Sequence, residues 1–245
     1  MREWITGRNP VYEALRARRR QFFRLVVAQG IEPRGHVQEI LQMAKERRLA
    51  VEQAQRARLN NLGENHQGVA LEVSGYPYKS LADVKDLARS RGEDLFVLAL
   101  DVIQNPQNLG TLLRTAEAIG VHGVLIPPHN AAGITPAVVT ASAGASEHML
   151  VVPGNLVQSI TELKDAGAWV VGLEAAEEAQ LPQALNLKGS LVVVVGSEGE
   201  GMRALVRKSC DFLMRLPMQG HVDSLNAAVA GSIALYLAYL QRQAG

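Results

Sequence analysis

The sequence predicts an α/β protein: a small basic α/β unit, then a larger domain built on a parallel sheet with helices on both faces. Three observations carry this expectation. From residue 96 onward, short apolar strands alternate with helical patterns. Strands such as Leu191-Val192-Val193-Val194-Val195 are apolar without alternation, as a sheet buried on both faces requires, and the charge balance changes near Tyr78. Residues 1–78 carry 13 Lys/Arg against 8 Asp/Glu, a balance of +5, whereas residues 79–245 carry 12 against 16, a balance of −4. A basic module ahead of a mildly acidic one points to a polyanionic partner, although a solvated charged surface would give the same count.

The elements follow in order. Asn9-Pro10 reads as a helix start, with Asn9 as N-cap and Pro10 at the first position, and Arg16, Arg18, Arg19 and Arg20 come at its end. Phe22 to Val27 reads as a strand. Val37, Ile40, Leu41 and Ala44 recur at helical spacing within residues 36–49, and His66-Gln67-Gly68 leads into a strand at Val69 to Val73. The predicted boundaries are a first domain at 1–75, a linker at 76–93 with room for one helix, and a second domain at 94–245. In the second, strands are expected at Phe96–Asp101, Val124–Ile126, Met149–Val152, Trp169–Leu173, Leu191–Val195 and Phe212–Leu216. Helices fit at 109–119, 155–166 and 201–209, with Gly120 and Gly167 as C-caps. A last helix, Ser224 to about Gln241 and capped by Ser224 or Asp223, is apolar around most of its circumference. Such a helix needs cover beyond its own sheet, either deep burial or a second subunit.

Composition excludes several classes. With 245 residues, 47% hydrophobic and 20% charged, the chain can bury a core without staples, so a disordered tail is excluded. The lone Cys210 forms no internal disulfide or zinc ribbon, and the six His lack metal-ligand spacing. No export signal and no apolar run of about 18 residues is present, so a reducing cytoplasm without membrane contact is expected. A GxSxG nucleophile elbow is absent.

Ligands of open α/β sheets bind at the carboxyl ends of strands, which directs attention to three loops. After the first strong strand, Asn105-Pro106-Gln107-Asn108-Leu109-Gly110 opens a helix that carries Arg114. Asn108 is either that helix's N-cap or a functional amide. Arg114 is the one Lys or Arg between Arg91 and Lys164, and it lies among Leu112, Leu113 and Ala116. A guanidinium there needs a partner or an anionic ligand, or else it snorkels to the surface. The second loop, Gly196-Ser197-Glu198-Gly199-Glu200-Gly201-Met202-Arg203, has Walker A glycine spacing, yet Met202-Arg203 stand where Lys and Ser/Thr would bind phosphate and magnesium. Its two Glu disfavour a pyrophosphate, while its glycines allow close backbone approach to a ligand. The third runs from Leu216-Pro217-Met218 to Ser224-Leu225-Asn226, where Asn226 is an unexpected amide at an apolar helix start.

Taken together, Asn108-Leu109-Gly110 with Arg114-Thr115-Ala116, Gly196-Ser197-Glu198-Gly199 with Gly201, and Leu216-Pro217-Met218 with Ser224-Leu225-Asn226 resemble the three ordered motifs of the SpoU (TrmH) family of RNA 2′-O-ribose methyltransferases, of the SPOUT class. Ile5-Thr6-Gly7-Arg8-Asn9-Pro10-Val11 and His66-Gln67-Gly68 resemble the L30e-like RNA-binding module that precedes this domain. The resemblance covers nearly the whole chain and is greatest to the bacterial 23S rRNA guanosine type. Asn105-Pro106 stands where Asp-Pro is usual, Asp223 adds a charge, and Ala227-Ala228 replaces a commoner Val-Ser.

The resemblance implies a trefoil-knotted methyltransferase domain, a homodimer through the C-terminal helix, and S-adenosylmethionine without a metal. The donor would be held by Gly196, Ser197, Gly201, Leu216, Met218 and Leu225. RNA would meet Arg8, Arg16, Arg18, Arg19, Arg20 and His66. Catalysis would fall to Arg114, Asn108, Glu198, Ser224 and Asn226 as the ribose oxygen displaces the sulfonium methyl in line. A guanidinium is a poor base, so electrostatic stabilisation of the developing alkoxide is the favoured role for Arg114. A tRNA methyltransferase and a non-catalytic RNA-binding assembly factor are the alternatives.

Overall fold

A computed structural model describes residues 2–222 and 224–243, so the Asp223 alternative for the helix cap lies outside the described residues. The chain forms two compact units. The first comprises the segment up to Pro77 together with Ile134–His148; the second comprises Tyr78–Gly133 and the chain from Met149 onward.

The first unit contains β1 (Arg2–Thr6), α1 (Arg8–Ala17), β2 (Phe22–Ala28), α2 (His36–Glu46), β3 (Ala50–Ala54), the short α3 (Arg56–Asn60) and β4 (Val69–Ser74). Its sheet has the order β1-β4-β2-β3, with β4 antiparallel to both β1 and β2, and β3 parallel to β2. Asn9 is not the cap of α1. The helix begins two residues earlier than expected, at Arg8 with Gly7 at the cap position, and the Asn9 amide oxygen bonds His36 Nδ1 at 3.0 Å instead.

The second unit opens with α4 (Leu81–Arg91), β5 (Phe96–Leu100), α5 (Pro106–Ala118) and β6 (Gly123–Ile126). Residues 76–93, expected as a linker with room for one helix, do contain one. It is capped by Ser80 in a capping box, and Leu81, Val84 and Ala88 enter this unit's core. The chain then passes through α6 (Pro136–Ala141) and a 3₁₀ turn at Ala145–Glu147, both within the first unit, and returns. It continues with β7 (Val151–Pro153), α7 (Leu156–Asp165), β8 (Trp169–Leu173), β9 (Leu191–Val195), α8 (Ala204–Ser209), β10 (Phe212–Met214) and α9 (Ala227–Gln243). The six strands are all parallel, in the order β10-β8-β9-β5-β6-β7.

Both faces of this sheet are covered, which explains the unbroken apolar run of β9. Val192 and Val194 pack with α4, α7 and α8. The opposite face meets α5 and α9, where Gly231 lies so close to Leu112 and Val195 that an added Cβ would sit 2.7 Å from a Leu112 methyl. Gly120 and Gly167, at φ +77° and +90°, end α5 and α7 as expected: Gly120 N–H donates to Glu117 O and Val121 N–H to Ala116 O, the paired bonds of a Schellman ending, and Gly167 and Ala168 repeat the pattern. α9 buries Ala227, Ala228, Gly231, Ala234, Leu235 and Ala238. Val229, Ile233, Tyr236 and Leu240, at i, i+4, i+7 and i+11, stay 40–52% exposed and form one apolar stripe.

Arg20 binds the returning segment into the first unit. Its Nε and Nη2 each donate to a Glu147 carboxylate oxygen at 2.8 Å, and Nη1 donates to Glu3 at 2.8 Å. Burial opposes the Arg20 charge, but Glu147 and Glu3 outweigh it and the guanidinium pKa is raised. The expectation that Arg20 meets RNA is therefore corrected, because its side chain is 0% exposed and its fork is occupied.

Two histidines make stability pH-dependent. His122 Nδ1 accepts from Phe96 N–H at 3.0 Å and Nε2 donates to Glu93 at 2.9 Å. His66 Nδ1 accepts from Gly68 N–H and Nε2 donates to Asn60, both at 2.9 Å. Both rings are neutral in this arrangement, and burial holds both pKa values below the ordinary 6.5, with Arg56 adding to the effect at His66. The unfolded chain takes up these protons first, so this stability is complete above about pH 6.5 and is lost as pH falls below it. Tm is expected to fall between pH 7 and pH 5, and the slope to flatten in a His66→Asn/His122→Asn double variant. An unchanged slope would refute the assignment.

Candidate active site

The site is built where β5, β9 and β10 end. Asn105, not Asn108, caps α5: its side chain accepts from Gln107 N–H at 2.8 Å, with Pro106 at the first helical position. That leaves Asn108, buried within the first turn, free for tertiary bonding. At the other end of the chain Asn226 caps α9, its Oδ1 accepting from Ala228 N–H at 3.0 Å and Val229 N–H at 3.2 Å. The helix accordingly begins at Ala227, and the expected Ser224 cap is corrected; the amide oxygen two residues on outcompetes it.

This cap fixes the polarity of a network. With Oδ1 engaged, Asn226 must donate through Nδ2, and it does so to Asn108 Oδ1 at 3.1 Å and to Glu198 Oε1. Asn108 in turn donates through Nδ2 to the same Glu198 oxygen at 2.9 Å. Three residues separated by up to 118 positions therefore converge, with Glu198 as the shared acceptor.

Glu198 belongs to a tight turn after β9. Ser197 N–H donates to Gly201 O at 3.0 Å and Gly201 N–H to Ser197 O at 3.2 Å, while Gly199 and Gly201 take φ +84° and +69°. Gly196 has no room for a side chain, since a Cβ there would lie 2.3 Å from Gly201 C and 2.5 Å from Met202 N. The far end of the turn is held by Asp101, which is 0% exposed at the end of β5; its two carboxylate oxygens accept from Arg203 N–H and Nε, each at 2.7 Å. Val102 follows at φ +62°, a left-handed conformation that costs a β-branched residue about 1–3 kcal/mol and is held by its surroundings.

A cavity of about 550 Å³ opens beside this turn, within the size range of ligand sites. Gly196, Ser197, Glu198, Gly201, Leu216, Met218, Ser224, Leu225 and Asn226, all expected site residues, line it. Close backbone at the glycines and an apolar wall of Leu216, Met218 and Leu225 suit a flat heterocycle with a polar, cationic tail. S-adenosylmethionine fits this description and would be held by those residues; bound there, it supplies an electrophilic methyl group. Among the described residues no cluster of three or more His, Cys, Asp or Glu is placed to hold a metal.

Arg114 is not on the cavity wall. Leu112, Leu113 and Ala116 face the core and are buried, whereas Arg114 lies on the solvent arc of α5, exposed and without an ion pair among the described residues; of the alternatives for its guanidinium, an internal ion pair is the one this arrangement lacks. One residue along, Thr115 bonds Ser232 Oγ at 2.9 Å, beside Ile233 of the α9 stripe.

The expected RNA contacts divide. Arg8, Arg16 and Arg18 are exposed; Arg8 Nε donates to Gln67 O at 3.2 Å and Arg16 pairs with Glu13 at 3.1 Å. Arg19 is half-buried, with its guanidinium on the carbonyls of Pro77 and Glu147. His66 is 8% exposed and pins its own loop, which corrects its assignment to RNA. Sequence reading gave no role to Asp101, Arg203, Glu174 or Arg207. For Asp101 a signal existed, a lone carboxylate directly after a buried strand; for the others none did.

Residues 95–236 match the family model described as the SpoU rRNA Methylase family, and residues 4–79 match the model described as RNA 2′-O ribose methyltransferase substrate binding. The chain is 38% identical over 244 residues to YacO of Bacillus subtilis, a candidate TrmH family tRNA/rRNA methyltransferase, covering 98% of this chain and 96% of that protein. It is 39% identical over 240 residues to a like-named Staphylococcus aureus protein, covering 97% of this chain and 96% of that one. Among solved structures it resembles the SpoU methyltransferase AviRb of Streptomyces viridochromogenes in complex with AdoMet. The TM-score is 0.80 at 25% identity, covering 99% of this chain and 91% of the other.

Proposed function

This chain belongs to the SpoU rRNA methylase family, and from that premise we propose that it methylates the ribose 2′-hydroxyl of a guanosine in 23S rRNA, as a cytoplasmic homodimer. Its activity at the coarser level is S-adenosylmethionine-dependent methylation of RNA ribose. The observation that carries the site assignment is the convergence of Asn108, Glu198 and Asn226 at the edge of the glycine-lined cavity. Fixed amides and a carboxylate there orient a sugar and exclude water, so positioning supplies much of the rate. Ser224 holds the sugar from the cavity rim. Arg114 stabilises charge developing on the attacking oxygen and holds the neighbouring phosphate. Arg8, Arg16 and Arg18 supply exposed cationic contacts to the RNA backbone.

A second copy covers the α9 stripe, whose exposed Val229, Ile233, Tyr236 and Leu240 need cover that their own sheet does not give. Sedimentation should show a dimer that Ile233→Asp/Tyr236→Asp dissociates; a monomeric parent chain would refute this. For the substrate, the purified chain is incubated with labelled S-adenosylmethionine and separated 23S rRNA, 16S rRNA and tRNA, and the RNA is digested to nucleosides. The expected product is 2′-O-methylguanosine from 23S rRNA. Label confined to tRNA, or to another nucleoside, would overturn the finer assignment; no label in any RNA, with RNA binding intact, would favour an assembly factor.

A further inference from the structure

We propose that Glu174 recognises the ribose diol of the methyl donor's adenosine, each carboxylate oxygen accepting from one hydroxyl. This rests on the reading of the cavity as the donor site. Glu174 directly follows β8 and lines the same cavity as Gly196 and Leu216. Its backbone N–H donates to Met214 O at 3.0 Å, which sets it two residues from Leu216 at the start of the apolar wall. The ring that packs on such a wall is bonded directly to the ribose, whereas the donor's amino acid lies at the far end of the molecule.

The carboxylate is also prepared for a bidentate ligand. Arg207, on α8, donates Nε to Oε1 at 2.9 Å and to Oε2 at 3.0 Å, and Nη2 to Glu178. One donor shared by both oxygens orients the carboxylate and leaves each oxygen further lone pairs for neighbouring hydroxyls. The side chain is 27% exposed, enough to be reached from the cavity.

The test is calorimetry on the full chain with S-adenosylhomocysteine, its 2′-deoxy counterpart and its des-amino counterpart, for the parent protein, Glu174→Ala and Glu174→Gln. Glu174→Ala is expected to weaken S-adenosylhomocysteine roughly 10- to 100-fold, with Glu174→Gln between. Deoxygenation should weaken the parent by about 10-fold and Glu174→Ala by less than about 2-fold, because the partner is already gone. Loss of the amine should cost all three proteins alike. Equal losses from deoxygenation in parent and variant, or coupling of Glu174 to the amine instead, overturn the proposal while leaving the cavity assignment standing. A parent protein that ignores S-adenosylhomocysteine overturns the cavity assignment, and this proposal with it.

Discussion

Arg114→Ala is expected to slow methyl transfer by about 100- to 1,000-fold, the range measured when one preorganised charge-stabilising donor is removed. Affinity for S-adenosylhomocysteine should stay within about 2-fold, because Arg114 is absent from the cavity wall. Stability should barely change, since the side chain is exposed and pairs with nothing among the described residues. Arg114→Lys keeps the charge but loses the planar fork, and should recover only part of the rate. The position of Arg114 makes a mixed-dimer assay informative. Its neighbour Thr115 bonds Ser232 beside the exposed α9 stripe, so a second copy seated there approaches this guanidinium. Activity restored on mixing Arg114→Ala with a donor-site variant would mean that the arginine serves the partner's cavity. Unchanged turnover in Arg114→Ala would remove the residue from the reaction.

Gly196→Ala is expected to abolish measurable binding of S-adenosylhomocysteine, a loss beyond about 100-fold, with the unit still folded. The added Cβ would meet backbone atoms of Gly201 and Met202 at 2.3–2.5 Å, and backbone cannot swing aside as a side chain can. The turn is closed by the paired Ser197–Gly201 bonds and anchored through Arg203 to Asp101, so it must open to make room. Gly199→Ala provides the contrast. Beyond its own chain neighbours no atom lies within 4 Å of its Cβ, and only the φ of +84° opposes substitution, a cost of about 1–2 kcal/mol. Calorimetry with matched thermal melts separates the two, and a Gly196→Ala protein that binds normally would show that the cavity is not the donor site.

Much of the architecture was legible because its physical signals are local. Phe96–Leu100, Trp169–Leu173 and Leu191–Val195 form the strands their apolar runs predict, and Gly120 and Gly167 end the helices they should end. β1 and β3 carry no local strand signal, because Arg2–Thr6 and Ala50–Ala54 are polar and partly exposed, and they become strands only by pairing with β4 and β2. The return of Ile134–His148 to the first unit was equally hidden. It depends on Glu147 meeting Arg20, 127 residues away, and a charge run in sequence gives no hint of which arginine will be buried.

The strand–helix alternation, the glycine-lined turn and the set of polar residues beside it are legible in the chain's residues alone, since backbone conformation and side-chain chemistry are properties of a few adjacent residues. What each polar residue does is settled by the assembled fold. Whether Asn105 or Asn108 caps α5, whether Ser224 or Asn226 caps α9, and which arginine is buried depends on donors and acceptors brought together from distant segments. A hydrogen bond has no existence until the fold has set its geometry.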